Sequence, residues 1–129
     1  MIPVSSVAKA REFVDSGAFF AELAAMVAYP TESGDPARRA AVGAYLDEIL
    51  APALAGLGCT VTEYANPDPA GGPFLVGTRV ESPELPTLLC YGHADVVNGH
   101  EGQWSEGRDP WTLTADGDRW YGRGAADNK

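Results

Sequence analysis

The sequence has little of what marks a membrane, nucleic-acid-binding or disulfide-rich protein. Its 129 residues include two cysteines, Cys59 and Cys90, which form no metal-binding or redox pair, so we expect reduced, buried thiols. Nine basic against 18 acidic residues give a net charge of -9, which excludes a basic surface for nucleic acid or anionic membrane. No segment approaches the roughly 18 apolar residues of a membrane span. We expect a cytoplasmic protein with neither partner.

The N-terminal half carries helical patterns. Apolar residues recur at helical spacing over residues 7–29 and are interrupted at residues 15–17, which predicts two short helices or one kinked helix. A loop over residues 29–36 follows, and Asp35 before Pro36 is typical of an N-cap with a first-turn proline. The next helix is predicted to run from about residue 36 to residue 57, with a kink or break at Pro52.

The second half carries strand patterns. Residues 59–64 and 74–80 are rich in β-branched and aromatic side chains, and residues 87–91 are apolar on both faces, as in a central strand. Turn-forming residues at 115–118, between two short β-prone runs, predict a hairpin. Helices followed by strands indicate an α/β fold built as one domain.

Three side chains suggest a metal site. His93 follows the third predicted strand, at the edge where α/β sheets gather ligands, and Asp95 points to the same side two residues later. A carboxylate on the second ring nitrogen of a ligating histidine fixes its tautomer. Asp127 follows two glycines, Gly122 and Gly124, that permit close backbone approach, and its carboxylate suits a bridging ligand.

Alternative interpretations of these residues are weaker. An isolated His-x-Asp occurs by chance in many proteins, and a single histidine is usually structural. A dinucleotide fingerprint fails because Asp127 stands where GxGxxG requires its third glycine, and the segment follows a hairpin rather than a buried strand. His100, in a glycine-flanked loop, is expected to be solvated and outside the site.

The motifs that surround His93, Asp95 and Asp127 make the prediction of a metal site more specific. The order and spacing of several motifs resemble the signature region of the M20 family of metallopeptidases and deacylases, and the loop at residues 29–33 fits as well. The motifs are residues 92–97, Trp104, residues 109–111, residues 116–117 and residues 121–129. The resemblance implies a zinc-exopeptidase-like catalytic domain, with helices packed on a partial mixed β-sheet.

The resemblance also implies a chemistry. His93 would be a terminal ligand of one zinc ion, Asp127 the bridge between two zinc ions, and Asp95 the catalytic carboxylate that orients His93. Cobalt or manganese are expected substitutes for zinc. The implied activity is hydrolysis of an amide bond in a small peptide or N-acyl amino acid by metal-activated water, in a homodimer.

The family pattern continues beyond Lys129. The resemblance places the general-base glutamate, the remaining ligands and a lid or dimerisation domain further downstream. Residues 1–129 are therefore expected to be an N-terminal segment of the catalytic domain, inactive alone, with Leu88, Leu89 and Val96 uncovered. A cis peptide between Asp127 and Asn128 is a further expectation. The alternative is a non-catalytic binding or interaction module derived from this fold.

Overall fold

The computed structural model describes residues 4–68 and 71–129. Its mixture of helices and short strands confirms the α/β prediction. In chain order the elements are α1 (Val4–Asp15), α2 (Ala18–Val27), a 3-10 turn (Pro36–Arg38), α3 (Arg39–Tyr45), a π-helical segment (Leu46–Leu50), α4 (Ala51–Gly56), β1 (Thr60–Tyr64), β2 (Phe74–Thr78), β3 (Thr114–Asp116) and β4 (Arg119–Tyr121). Within the described ranges, no helix has both the length and the apolar character needed to cross a membrane.

The first helical pattern forms two helices, as predicted. Gly17 separates them with a φ of 81°, a left-handed conformation that glycine adopts without a Cβ clash. Helix α2 buries Leu23 and Val27, which are four residues apart and share one face. Helix α1 has no buried residue and contacts α2 at its end, where the Phe13 and Phe19 rings lie 6.1 Å apart.

The second helical region also starts as predicted. The Asp35 side chain accepts a hydrogen bond from the Ala37 backbone amide at 2.9 Å, which makes it an N-cap. Pro52 does not break the helix. The π-helical segment lies directly before α4, where the proline ring would otherwise crowd the carbonyl four residues earlier and where one amide donor is missing.

The strands form two separate hairpins. β1 pairs antiparallel with β2, from Thr60 opposite Thr78 to Tyr64 opposite Phe74, and β3 pairs antiparallel with β4. These pairs confirm the first two predicted strands and the C-terminal hairpin. The expected mixed sheet is not seen among the described residues. Parallel pairing is limited there to one isolated bridge, Glu32 with Val96.

The prediction of a central strand at residues 87–91 is wrong. These residues are irregular, and the side chains of Leu88 and Leu89 are 84% and 91% exposed. An extended segment becomes a strand only when a neighbour supplies the hydrogen-bond ladder, and no described segment pairs with this one. Cys90 is consequently exposed and Cys59 is half-buried, so the expectation of two buried thiols is also wrong.

The core lies between α2 and the C-terminal hairpin. Leu23, Val27 and Leu113 form its buried cluster, against which Phe20 and Ala125 pack. On the same side of α2, the Trp120 ring stands edge-on to Phe20, with 5.1 Å between centroids. This packing fixes β3, β4 and the chain that follows them over α2.

Val96 attaches the predicted His-x-Asp segment to the loop that follows α2. Its side chain is 4% exposed, so the expectation that it lies uncovered is wrong. Its backbone amide donates to the Thr31 carbonyl at 2.9 Å, and Thr31 is fully buried. Residues 93–96 are therefore held against the loop between α2 and the next helix.

Candidate metal site

The His93 ring faces both the backbone carbonyl and the carboxylate of Asp95. Its Nδ1 lies 3.0 Å from the backbone carbonyl oxygen of Asp95 and 3.2 Å from Oδ1 of the same residue. Because both of these oxygens are acceptors, they favour the neutral tautomer of His93 that carries its proton on Nδ1. The other ring nitrogen, Nε2, is directed toward Asp127. The structure thus brings together the three side chains that the sequence predicted.

The electrostatics favour a positive charge at this point. The hydrogen bond to the Asp95 carbonyl raises the pKa of His93 above its ordinary value. Partial burial lowers this pKa, and the negative charges of Asp95 and Asp127 raise it further. His93 and Asp95 are partly exposed, and the Asp127 side chain is 87% exposed. The site is open and attracts a proton or a cation.

Gly124 brings Asp127 close to His93. Its φ is +84°, and a Cβ at this position would lie 2.9 Å from Cγ1 of Val96 and 2.7 Å from Cγ of Lys129. Only glycine lets the backbone turn in this way so near to Val96. The interpretation of this glycine as a close-approach residue is confirmed.

The expected cis peptide between Asp127 and Asn128 is wrong. No peptide bond among the described residues is cis. The chain reverses through the turn at Gly124 instead, where a positive φ costs glycine little. A cis bond before a residue other than proline would cost about 2.5–4 kcal/mol.

The donor set at His93 fits a zinc ion in part. Nε2 of His93 and Oδ1 of Asp127 are 3.4 Å apart, which is longer than a strong hydrogen bond. Two ligands of a tetrahedral zinc ion, each bonded at about 2.0–2.1 Å, lie about 3.3–3.4 Å apart. Asp95, on the opposite ring nitrogen, has the place of an orienting carboxylate rather than a ligand. Within residues 4–68 and 71–129, no group of three or more His, Cys, Asp or Glu side chains is placed to hold a metal ion.

The sequence interpretation missed three side chains that support the site. Ser33 Oγ donates to Oδ2 of Asp95 at 2.6 Å. Glu32, which is buried, accepts from the Gly99 amide at 2.5 Å and lies 3.3 Å from Nε of Arg38. A polar run directly before a capped helix was the available signal, but nothing local indicates these distant partners.

Lys129 is the third of these residues. Its Nζ donates to the Tyr29 carbonyl at 3.1 Å and to Oγ1 of Thr31 at 2.5 Å, and it lies 4.1 Å from the centroid of the Tyr45 ring. Burial lowers the pKa of Lys129 to about 8. The lysine thus ties the chain just after Asp127 to the same loop that holds residues 93–96.

Comparison with known proteins gives three informative relatives. The chain is 39% identical over 77 residues to a cysteinylglycine-S-conjugate dipeptidase of Corynebacterium striatum, covering 59% of this chain and 16% of the relative. It is 44% identical over 58 residues to a beta-Ala-His dipeptidase of Mus musculus, covering 44% of this chain and 11% of the relative. It is 35% identical over 104 residues to an acetylornithine deacetylase of Proteus mirabilis, covering 81% of this chain and 26% of the relative.

By their names, two of these relatives are dipeptidases and the third is a deacetylase. The chain spans no more than about a quarter of the length of these three curated relatives, with 26% as the largest share. No family model matches the chain.

Proposed function

We propose that this chain, whose curated homologues are M20 family metallopeptidases, contributes the first part of the active site of a zinc-dependent amide hydrolase. The proposed substrates are small peptides or N-acyl amino acids. The observation that supports the proposal most directly is the 3.4 Å separation of His93 Nε2 and Asp127 Oδ1, with Asp95 on the opposite ring nitrogen.

Each of the three residues has a separate role in the proposal. His93 and Asp127 would hold zinc through Nε2 and a carboxylate oxygen. Nδ1–H faces the Asp95 backbone carbonyl at 3.0 Å and the Asp95 carboxylate at 3.2 Å, so the neutral imidazole would have its lone pair on Nε2 and be a more basic ligand. When bound, the metal polarises the amide carbonyl and provides a hydroxide near neutral pH.

We infer that residues 1–129 do not hydrolyse amides on their own. Two protein donors leave a catalytic zinc site short of its usual three protein ligands. The reaction also needs a general base to take the proton of the attacking water, and the family resemblance places that glutamate beyond Lys129. Hydrolysis therefore requires the further ligands and the general base that the family resemblance implies.

Zinc binding by paired histidine variants tests the metal site. The chain contains two histidines, His93 and His100, so His100→Gln is a matched control for His93→Gln. We expect His93→Gln to lower zinc affinity at least tenfold in a competition titration, and His100→Gln to leave it unchanged. Equal affinity in the two variants would contradict the proposed site.

Activity of the full-length protein tests the reaction. Dipeptides and N-acetyl amino acids, assayed for free amine with and without a chelator, should be hydrolysed only with metal present, and His93→Gln should abolish turnover. Zinc binding without hydrolysis of any of these substrates would favour the alternative, a non-catalytic binding or interaction module.

Three accompanying expectations stay predictions. Cobalt or manganese should restore activity after chelation, because imidazole and carboxylate ligands accept several divalent ions. Analytical ultracentrifugation of the full-length protein tests the homodimer, and fractionation of cells tests the cytoplasmic location.

A further inference from the structure

The two oxygens of the Asp95 carboxylate have different partners. Oδ1 lies 3.2 Å from Nδ1 of His93, and Oδ2 accepts the hydroxyl of Ser33 at 2.6 Å. Rotation of this carboxylate about its terminal bond would break the Ser33 hydrogen bond and separate Oδ1 from Nδ1 of His93. Ser33 thus limits the orientation that Asp95 presents to His93.

The chain around Ser33 is itself fixed. Thr31 is fully buried, and its carbonyl accepts the Val96 amide at 2.9 Å. Glu32 is 6% exposed, and its carboxylate accepts the amide of Gly99. On the other side of Ser33, the Asp35 amide donates to the Glu32 carbonyl at 3.3 Å. The serine therefore extends from a segment with little freedom to move.

We propose that Ser33 is a positioning residue of the metal site, acting through Asp95 on His93. The inference rests on the proposed function, because Ser33 is said to orient His93, which is a zinc ligand only in that proposal. The serine hydroxyl holds Oδ2, which leaves Oδ1 beside Nδ1, and the neutral imidazole would then offer the Nε2 lone pair to the ion. The Ser33 to Asp95 bond is exposed, so water replaces part of it when it is lost, and the effect is smaller than that of changing Asp95 itself.

Metal affinity is the first measurement. Groups that hydrogen-bond a metal ligand directly typically account for about 10- to 100-fold in affinity, and Ser33 lies one bond further out. We expect Ser33→Ala to weaken zinc binding about 3- to 10-fold and Ser33→Thr, which keeps the hydroxyl, to restore it. Ser82→Ala, at a half-buried serine whose hydroxyl accepts the nearby Glu84 amide at 3.3 Å, is the control and should leave zinc affinity unchanged.

The tautomer of His93 is the second measurement and needs no metal. In a His100→Gln background, long-range proton–nitrogen NMR reports one imidazole. Ser33→Ala should lower the fraction with the proton on Nδ1, and Ser33→Thr should recover it, whereas a purely structural serine would leave the tautomer unchanged.

The two proposals fail in different ways. If His93→Gln lowers zinc affinity but Ser33→Ala changes neither zinc affinity nor the tautomer, the role of Ser33 is wrong and the metal site stands. If His93→Gln leaves zinc affinity intact, the proposed function is wrong. Ser33→Thr behaving like Ser33→Ala in a folded protein would also overturn the role of the hydroxyl.

Discussion

Replacing Gly124 with alanine should disturb the fold and the site together. The glycine has a φ of +84°, and the new Cβ would lie 2.9 Å from Cγ1 of Val96 and 2.7 Å from Cγ of Lys129. Carbon atoms in good contact lie about 3.5–4.0 Å apart. The Lys129 stem is able to shift, but Val96 is buried and bonded through its amide to Thr31. The backbone at Gly124 must therefore move.

The loss of stability expected for Gly124→Ala has two parts, and a second glycine substitution separates them. The left-handed conformation costs alanine about 1–2 kcal/mol, and overpacking a tight site adds about 1–3 kcal/mol. Gly107 has a φ of +77° with nothing within 4 Å of an added Cβ. Gly107→Ala should therefore show the first cost alone, so Gly124→Ala should be the more destabilising substitution by about 1–3 kcal/mol.

Urea unfolding followed by tryptophan fluorescence measures both variants. In a Val96→Ala background, where Cγ1 is absent, the extra cost of Gly124→Ala should shrink, and a double-mutant cycle reports this coupling. Gly124→Ala should also weaken zinc binding, because the chain leading to Asp127 shifts. Equal destabilisation by Gly124→Ala and Gly107→Ala, with no coupling to Val96, would refute the argument.

Three other predictions follow from exposure and hydrogen bonding. Lys129→Met should lower the free energy of unfolding, measured in urea, by about 1 kcal/mol, because the loss of two hydrogen bonds is partly offset by removal of a buried charge. It should also weaken zinc binding, and unchanged zinc affinity would contradict the role of Lys129 in holding the Asp127 segment. Replacing exposed Leu88 and Leu89 with lysine should reduce self-association in light scattering of residues 1–129, and a monodisperse unmodified chain would argue against it. Exposed Cys90 should react with a thiol reagent faster than half-buried Cys59, as single-cysteine variants would show.

Local chemistry explains which elements were predictable. The break at Gly17, the cap at Asp35 and the hairpin turn at Gly117 each depend on residues within a few positions of one another. The M20 resemblance carried the choice of His93, Asp95 and Asp127, and the structure brings these side chains together. The relationship to dipeptidases and acetylornithine deacetylases confirms that resemblance.

Contacts between distant residues explain what was missed. The bond from Ser33 to Asp95 spans 62 positions and the bond from Lys129 to Thr31 spans 98. The strand expected at residues 87–91 failed for a related reason. Its apolar pattern indicates a preference for burial on both faces, but a pattern does not identify the neighbour that must supply the hydrogen bonds.

The same contacts change the explanation of why the site residues converge. The sequence placed His93 at the end of a strand, on the edge of a sheet, yet no strand leads into it in the structure. The segment at residues 29–33 does the positioning instead. It binds the Val96 amide, the Asp95 carboxylate and the Lys129 ammonium. His93 and Asp127 therefore keep their separation because both are attached to one loop, which is anchored by its buried residues Thr31 and Glu32 rather than by a β-sheet.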